Sequence, residues 1–351
     1  MASTLTLSEL RRTGREGLRA EPQLILSRTP LRVSFAGGGT DLPAFYSERY
    51  GAVLSTAIDR YVYVTVKRHG ALFNEPIRLN YSETELVEKL DDIRNAIARE
   101  CLRLLDVGPP IYISTVADIP ASSGLGSSSS FAVGLLNALH AFKGERVSAG
   151  QLAEEAAHVE LDLLGRPMGK QDHYPAAFGG LNLLTFLPDG GVSIEPKRMA
   201  NGTLDKMFGH VMMFWSGLTR DSSSILSEQR RNTERKADDL LRIRGHAIVL
   251  NEMLADGFDA AEFGRVLDET WQLKRGLASR ITTGEIDGWY ASAREAGALG
   301  GKLCGAGGGG FLLLIVPPDA QPNVRRALAG VREISIGYES QGSRILFPSV
   351  A

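Results

Sequence analysis

The chain has 351 residues, with 39 lysines and arginines against 41 aspartates and glutamates, and a net charge of −2. This balance excludes a strongly basic nucleic-acid binder or a polybasic membrane-surface protein as the default. With 43 % hydrophobic and 23 % charged residues, the composition is that of a folded globular protein. The length predicts about two domains. Glycine is in excess: its 39 residues are about 11 % of the chain, against a usual share of ~7 %.

The two cysteines, Cys101 and Cys304, are too few for a disulfide framework. They do not form a C-x-x-C pair, so the sequence gives no indication of a structural zinc site. The longest apolar run, Phe311 to Val316, is far shorter than a membrane helix requires. The N-terminus has no apolar signal-peptide segment, and residues 1–22, which mix arginines with glutamates, are predicted to form a flexible arm. We therefore expect a cytoplasmic protein without a membrane or nucleic-acid partner.

Apolar periodicity predicts a mixture of strands and helices in the first half of the chain. In order these are a strand over 23–36 interrupted by Pro30, a strand within 52–67, a helix over 84–106, a strand over 111–116, a helix over 131–142, and a helix from an N-cap at Ser148 to Leu164. The turn-rich stretch 187–203 is the predicted boundary between a first domain, 23–203, and a second, 204–351.

The second half follows the same mixed pattern. Its predicted elements are a strand from His210 to Trp215, helices within 221–298, a glycine run over 300–310, a strand from Phe311 to Val316, a short helix over 321–331 and a strand over 344–348. Strands and helices mixed within both halves predict an α+β or α/β architecture.

The segment from Pro120 to Ser130 has the composition of an anion-binding loop, because a strand leads into small residues that open an apolar helix. Unpaired N–H groups and the helix dipole favour an anion at such a helix start. Gly124 and Gly126 permit a positive φ and close approach, and serine hydroxyls can donate to phosphate. No Gly-Lys-Ser/Thr follows, so this is not a Walker A loop. A plain turn that caps a helix is the alternative.

Two further glycine-rich loops follow or precede strands, at 37–41 and at 300–310. In the first, Thr40 and Asp41 offer hydrogen bonds to hydroxyl groups, and a tight turn is the alternative. In the second, so many glycines are costly to order, which favours a backbone fitted against a ligand over a flexible hinge. Together, the three loops hold twelve of the 39 glycines.

These three loops resemble the motifs of the GHMP kinases, the small-molecule kinases that include galactokinase, homoserine kinase, mevalonate kinase and phosphomevalonate kinase. PASSGLGSS, from Pro120 to Ser128, is similar to the family's Pro-x-x-x-Gly-Leu-x-Ser-Ser phosphate loop, and KLCGAGGGG, from Lys302 to Gly310, to its C-terminal glycine motif. The resemblance spans about 24–350. It implies a two-domain α+β fold, with an N-terminal domain like that of ribosomal protein S5 and a ferredoxin-like C-terminal domain.

Within this family, the runs at 28–42, 169–182 and 216–229 resemble the bacterial D-glycero-D-manno-heptose 7-phosphate kinases, while the L-fucose kinases share similar motifs. The resemblance implies ATP and Mg²⁺ as cofactors and a small-molecule sugar phosphate as substrate. The implied ATP contacts are Pro120, Ser122, Ser123, Gly124, Leu125, Gly126, Ser127, Ser128 and Ser129. Ser128 and Glu160 are the implied Mg²⁺ ligands, and a shift in alignment would replace Glu160 with Asp162.

The resemblance also implies a catalytic pair. Asp172 matches the family's catalytic aspartate, which accepts the proton of the substrate hydroxyl, although an aspartate in a turn often bonds its own backbone. Arg32 matches a basic residue that would stabilise the transferring charge, with a surface ion pair as the alternative. His173 is expected to be structural.

The residues implied to bind the sugar phosphate lie near the same motifs. They are Gly38, Gly39, Thr40, Asp41, Lys170, Gly179, Gly180, Arg220, Gly307 and Gly308, with Arg166 a further candidate for the phosphate. The implied reaction is phosphorylation of an anomeric hydroxyl. Another sugar 1-kinase, a non-catalytic ATP and sugar sensor, and a serine hydrolase that uses Ser127 or Ser128 are the alternatives. A homodimer is also left open.

Overall fold

The computed structural model describes residues 22–70, 72–218 and 223–350. Arg220 and almost all of the N-terminal arm lie outside these residues. The strands are β1 (Pro22–Ala36), β2 (Gly51–Arg68), β3 (Ile77–Asn80), β4 (Thr84–Val87), β5 (Ile111–Ala117), β6 (Leu181–Phe186), β7 (Val192–Pro196), β8 (Val211–Trp215), β9 (Gly300–Leu303), β10 (Phe311–Ile315), β11 (Arg332–Ile334) and β12 (Arg344–Val350).

Helices alternate with these strands. They are α1 (Pro43–Tyr46), α2 (Ala96–Leu104), α3 (Ser127–Phe142), α4 (Ala149–Ala157), α5 (His173–Phe178), α6 (Thr203–Gly209), α7 (Ser223–Asn232), α8 (Ala237–Asp256), α9 (Ala260–Arg275), α10 (Gly284–Glu295) and α11 (Gln321–Ala327). The predicted mixed α+β architecture is confirmed. Within the described residues, no helix combines the length and apolarity needed to cross a membrane.

The first sheet has eight strands and is organised around the long strand β2. Its order is β12-β1-β2-β5-β3-β4, while β6 pairs with β2 and β7 with β6. The predicted strand within 52–67 forms part of β2, where the alternating Val62, Val64 and Val66 are buried. An interruption of β1 at Pro30 was predicted, but the strand continues through the proline. A register shift between Pro30 and Leu31 in the pairing with β2 accommodates it.

The second sheet has four strands, in the order β11-β8-β10-β9. The first residues of the predicted glycine loop form strand β9, because Gly300 and Gly301 pair with Ile315 and Leu314 of the apolar strand β10. The predicted boundary stretch contains strand β7, which folds back on β6. Near the end of the described chain, β12 returns to the first sheet and pairs with β1. The domain boundary stays a prediction.

Two helix predictions differ from the structure. The segment 84–106 was predicted as one helix, but it forms β4 and then α2, which begins where the Asn95 side chain accepts a hydrogen bond from the Ala98 N–H at 3.0 Å. Helix α3 begins at Ser127, four residues before its predicted start. The N-cap at Ser148 is confirmed, and α4 continues as a π-helical turn over His158–Leu163.

Candidate functional site

A cavity of about 1090 Å³ lies where three glycine-containing loops meet. These are the phosphate loop (120–130), the first glycine loop (37–41) and the third glycine loop (304–310), and each contributes residues to the lining. The first glycine loop follows β1 and the phosphate loop follows β5, both strands of the eight-stranded sheet, and the third glycine loop connects β9 to β10 of the four-stranded sheet. The cavity is therefore built by loops of both sheets.

The phosphate loop ends in the first turn of α3. Gly124 and Gly126 have φ of +83° and +78°, conformations that favour glycine, and Gly126 directly precedes the helix. Ser127 and Ser128 open the helix and line the cavity. The unpaired N–H groups and the positive dipole end of this helix are thus at the cavity wall, as an anion site requires.

The phosphate loop is packed directly against the third glycine loop. A Cβ at Gly124 would lie 2.6 Å from the carbonyl oxygen of Cys304, and a Cβ at Gly305 would lie 2.5 Å from the Cα of Gly124. Glycine is therefore required on both sides of this contact, and the two loops hold each other in place.

Arg32 and Asp172 form an ion pair at the cavity. Arg32 is buried on β1 and donates from Nε to Asp172 Oδ1 at 2.7 Å and from Nη1 to the carbonyl oxygen of Gly124 at 2.7 Å. Asp172 lies just before α5, its side chain is 16 % exposed, and it lines the cavity. The arginine thus connects the predicted catalytic carboxylate to the phosphate loop.

Asp41 lies beside this pair and is held by Gln171. It accepts hydrogen bonds from the Gly39 N–H at 2.9 Å, from the Gln171 N–H at 3.2 Å and from Gln171 Nε2 at 3.0 Å. Burial raises the pKa of Asp41, and the charge of Asp172 raises it further, although the backbone donors oppose this. Asp41, Gln171, Gly38 and Gly39 all line the cavity.

A second carboxylate, Glu160, lies behind the phosphate loop and outside the cavity lining. Its side chain is fully buried and accepts from Arg166 Nη1 at 2.5 Å, from Ser129 Oγ at 2.7 Å and from His173 Nε2 at 2.9 Å. Burial alone would raise the pKa of Glu160, but the interactions with His173, Arg166 and Ser129 lower it to about 2. Three donors already hold this carboxylate.

This arrangement bears on the predicted Mg²⁺ ligands. Ser128 lines the cavity, so its hydroxyl is placed where a nucleotide-bound Mg²⁺ could meet it. Both oxygens of Glu160 are engaged, so it fits a metal only if Arg166 gives up its contact. The alternative, Asp162, is 69 % exposed and bonded to His158. Coordination by Glu160 remains a prediction.

Many of the predicted site residues line the cavity, and others do not. Its lining includes Arg32, Gly38, Gly39, Asp41, Pro120, Ser122, Gly124, Gly126, Ser127, Ser128, Arg166, Asp172 and Gly307. The lining does not include the predicted ATP contacts Ser123, Leu125 and Ser129, the predicted sugar contacts Thr40, Gly179, Gly180, Lys170 and Gly308, or the predicted metal ligand Glu160.

The predicted residues outside the lining have other contacts. The Thr40 hydroxyl donates to the carbonyl oxygens of Gly37 and Ala52, which fixes the first glycine loop. Lys170 is bonded to Glu154 at 3.0 Å. Gly179, with φ of +69°, allows α5 to end against the backbone near 341. These contacts are structural.

Among the cavity-lining residues that sequence reasoning did not name as site residues are Ser34, Gln229, Lys274 and Lys302. All four are buried. Lys302 stands in the C-terminal motif, and Ser34 and Gln229 stand in the runs that resemble the family, which was a signal. Lys274 lies in a helix whose pattern gives no sign of burial beside a cavity.

The chain matches two family profiles. The profile described as GHMP kinases N terminal domain matches residues 91–180, and the profile described as GHMP kinases C terminal matches residues 252–332. The first covers the phosphate loop, Arg166 and Asp172, and the second covers Lys274, Lys302 and the third glycine loop. The matched segments therefore contain most of the cavity's charged residues.

Similar proteins cover most of the chain. The D-glycero-alpha-D-manno-heptose 7-phosphate kinase of Campylobacter jejuni is 29 % identical over 315 residues, 87 % of this chain and 93 % of that protein. The mevalonate kinase of Methanothermobacter thermautotrophicus is 30 % identical over 275 residues, 75 % of this chain and 83 % of that protein. A solved structure of a D-glycero-D-manno-heptose 1-phosphate kinase from Bacteroides thetaiotaomicron has a TM-score of 0.75 at 25 % identity, covering 92 % of this chain and 99 % of that one. The chain belongs to the GHMP kinase family.

Proposed function

We propose that this GHMP kinase is an ATP-dependent sugar kinase that phosphorylates the anomeric hydroxyl of D-glycero-D-manno-heptose 7-phosphate to give heptose 1,7-bisphosphate. The observation that carries the proposal is the Arg32–Asp172 pair, which lies at one cavity with the phosphate loop and Asp41. The substrate class is supported by the similarity to the Campylobacter jejuni kinase over 87 % of this chain. Such a product would serve the synthesis of nucleotide-activated heptose.

In this proposal the nucleotide phosphates bind the start of α3. The N–H groups after Gly126 and the hydroxyls of Ser127 and Ser128 are the donors for the β- and γ-phosphates. When bound, Mg²⁺ would neutralise charge between these phosphates, and the Ser128 hydroxyl is the protein oxygen best placed to hold it. Glu160 would join only after a rearrangement of Arg166.

Asp172 is the proposed proton acceptor. Its Oδ1 receives the Arg32 guanidinium, and among the described residues its Oδ2 has no hydrogen-bond partner. Oδ2 is therefore available to take the proton of the anomeric hydroxyl as the sugar oxygen bonds to the γ-phosphorus and the bond to the β-phosphate oxygen breaks. Arg32 pairs with the carboxylate and, through Gly124, fixes its position relative to the phosphate loop.

Asp41, Gln171 and Gln229 are the proposed sugar contacts. Their carboxylate and amide groups line the cavity beside Asp172, and such groups bind sugar hydroxyls well. Gln229 is buried with no hydrogen bond to its amide among the described residues, so its amide has unused donors and an acceptor.

A kinase that acts on a heptose 1-phosphate is the second candidate, because the solved structure from Bacteroides thetaiotaomicron bears that name. Both candidates form a bisphosphate, but they differ in the hydroxyl that receives the phosphoryl group. Another sugar 1-kinase, such as one for fucose, would act without a phosphate on the sugar.

A panel assay separates these candidates. ATP turnover is measured with heptose 7-phosphate, heptose 1-phosphate, free heptose, L-fucose and galactose under identical conditions. The proposal predicts the highest kcat/KM with heptose 7-phosphate. A higher value with the 1-phosphate or with a free sugar would replace the proposal with the corresponding alternative, and ATP binding without turnover of any sugar would indicate a sensor.

A further inference from the structure

Two buried lysines lie in the wall of the cavity without a carboxylate partner. Lys274 on α9 is 6 % exposed and Lys302 on β9 is 2 % exposed. Lys302 Nζ donates to the carbonyl oxygen of Ser34 at 2.6 Å, and Lys274 Nζ donates to those of Leu303 and Gly305. Within the described residues, neither ammonium nitrogen has a carboxylate oxygen within ion-pair distance. We call these two residues the lysine pair.

The lysine pair is exceptional among the cavity's cations. Five basic residues line the cavity in the described part of the chain. Arg32 is paired with Asp172, Arg94 with Glu83 at 2.9 Å, and Arg166 with Glu160. Only the lysine pair lacks such a partner there. A buried ammonium without a counter-ion is costly, so it persists where a ligand supplies the negative charge.

Ser34 gives a second, independent indication of a ligand. It is 8 % exposed and lines the same cavity, and its Oγ has no hydrogen-bond partner among the described residues. Buried hydroxyls are nearly always bonded, so an unbonded one at a cavity indicates a missing acceptor. The carbonyl oxygen of Ser34 already accepts a hydrogen bond from Lys302, so the unpaired hydroxyl belongs to a residue that the lysine contacts.

The electrostatics agree with a missing anion. Burial lowers the pKa of Lys274 to about 8, and Arg32 lowers it further while Cys304, Asp41 and Asp172 oppose the shift. Burial also lowers the pKa of Lys302 far below its usual range, with Lys274 and Arg32 adding to the effect and Cys304 opposing it. An anion between these amines would raise both pKa values.

A phosphate group fits this cluster. It offers three terminal oxygens and two negative charges, which match two ammonium groups with unused N–H donors and one hydroxyl. We propose that Lys274, Lys302 and Ser34 bind the phosphate that the sugar substrate already carries, before transfer occurs. This inference rests on the proposed function, because it identifies where a sugar phosphate differs from a free sugar.

The position of the cluster favours the sugar's phosphate over those of the nucleotide. Ser34 precedes the first glycine loop by three residues, and the charges of Asp41 and Asp172 act on Lys274. The start of α3 already supplies donors for the nucleotide phosphates. The lysine pair is therefore the remaining cationic subsite on the side of the sugar contacts.

Lys302→Met and Lys274→Met test the proposal against a matched control, Lys206→Met. Lys206 also donates to a backbone carbonyl oxygen, that of Phe258 at 3.0 Å, but it does not line the cavity. Each cavity variant is expected to raise KM for heptose 7-phosphate about 10- to 100-fold, since it loses a charge-assisted contact. KM for ATP and kcat/KM for free heptose are expected to change less than about 3-fold. The control is expected to match the wild type.

Two readouts separate ligand binding from a structural role. First, Lys302→Met is expected to raise the melting temperature of the ligand-free protein, because folding then no longer has to remove the proton from a buried lysine; a structural lysine would lower the melting temperature. Second, calorimetric titration of heptose 7-phosphate at pH 8, in two buffers of different ionisation enthalpy, is expected to show proton uptake by the wild type that Lys302→Met reduces.

Several outcomes would overturn the inference. An unchanged KM for heptose 7-phosphate in both folded variants would do so, and so would an equal loss with free heptose. A selective rise in KM for ATP would assign the lysine pair to the nucleotide. If either Lys302→Met or Lys274→Met failed to fold, the KM and the calorimetric titration of the other variant would test the inference.

A failure of the proposed function would be distinguishable. If the wild type neither binds nor phosphorylates heptose 7-phosphate, the protein saturated with ADP is titrated with inorganic phosphate. Stabilisation of the wild type by phosphate that is lost in Lys302→Met would preserve the phosphate subsite without the heptose. No stabilisation of the wild type would reject the subsite as well.

Discussion

Two arginine–carboxylate pairs flank the phosphate loop, and their surroundings differ. Arg32 and Asp172 meet at the cavity, where the carboxylate is 16 % exposed and keeps one oxygen without a partner among the described residues. Arg166 meets Glu160 behind the phosphate loop, where the carboxylate is fully buried and also bonded by Ser129 and His173.

The difference indicates a chemical role for Asp172 and a structural role for Glu160. A carboxylate with a free oxygen at a cavity can accept a proton, whereas a buried one with both oxygens bonded stabilises the fold and orients its neighbours. Glu160 holds Ser129, which follows the phosphate-loop serines, and His173, which follows Asp172. The buried pair thus supports both halves of the site.

The largest expected effect comes from Asp172→Asn. This change keeps the shape but removes the proton acceptor, so kcat is expected to fall about 10²- to 10⁴-fold. The melting temperature should fall as well, because the buried Arg32 loses its charged partner, but by less than for Glu160→Gln, since Asp172 is 16 % exposed and Glu160 is fully buried. Steady-state kinetics and thermal unfolding of the same preparation measure both quantities. Full turnover by this variant would remove Asp172 from the chemistry.

Glu160→Gln should have the opposite profile. Removing the charge leaves Arg166 and His173 without their buried partner, and the free energy of unfolding is expected to fall by about 3 kcal/mol. In the folded fraction, kcat should fall less than about 10-fold. A stable variant with a large loss of turnover, rescued by raised Mg²⁺, would instead support the predicted role of Glu160 as a metal ligand.

The stability contributed by Glu160 should depend on pH. Its pKa is about 2 in the folded chain and 4.5 in the ordinary state, so the folded form favours the carboxylate. The contribution is therefore fully present above pH 4.5 and is lost as the pH falls towards 2. Urea unfolding of the wild type and Glu160→Gln should give a constant difference above about pH 5 and a shrinking one below. A difference that grows on acidification would contradict this assignment.

A smaller effect is expected at Gly124, whose carbonyl oxygen binds Arg32. Gly124→Ala places a Cβ 2.6 Å from the Cys304 carbonyl oxygen at φ of +83°, and Gly144→Ala is the control, since Gly144 has φ of +76° and open space around it. Both should lose about 1 kcal/mol from the positive φ. Only Gly124→Ala should also raise KM for ATP and lower kcat. Equal behaviour of the two variants would show that the contact between the loops has no functional effect.

The sequence predicted the parts of the fold that short patterns govern. The strand at 111–116 and the cap at Ser148 follow from local alternation and side-chain capping. It failed at 84–106, where a short β-hairpin precedes the helix, and at β9, where glycines pair as a strand only because β10 lies beside them. Pairing partners distant in sequence cannot be read from one segment.

The sequence likewise predicted some residues of the site and missed others. Arg32 and Asp172 are 140 residues apart, and only the resemblance to a family brought them together before the fold did. Lys274 stands in a helical pattern among charged residues, where a lysine is expected to be exposed, and only tertiary packing buries it. Gly179 and Lys170 were predicted from a run that resembles the family, and in the structure Gly179 packs near Gln341 while Lys170 is bonded to Glu154.

Phosphorus NMR of the product tests the central claim most directly. The wild type and Asp172→Asn are each incubated with ATP and heptose 7-phosphate. The wild type is expected to produce a second sugar phosphorus signal coupled to the anomeric proton, and the variant at most about one hundredth of it in the same time. A new phosphate on another carbon, no new signal from the wild type, or equal product from both proteins would contradict the account.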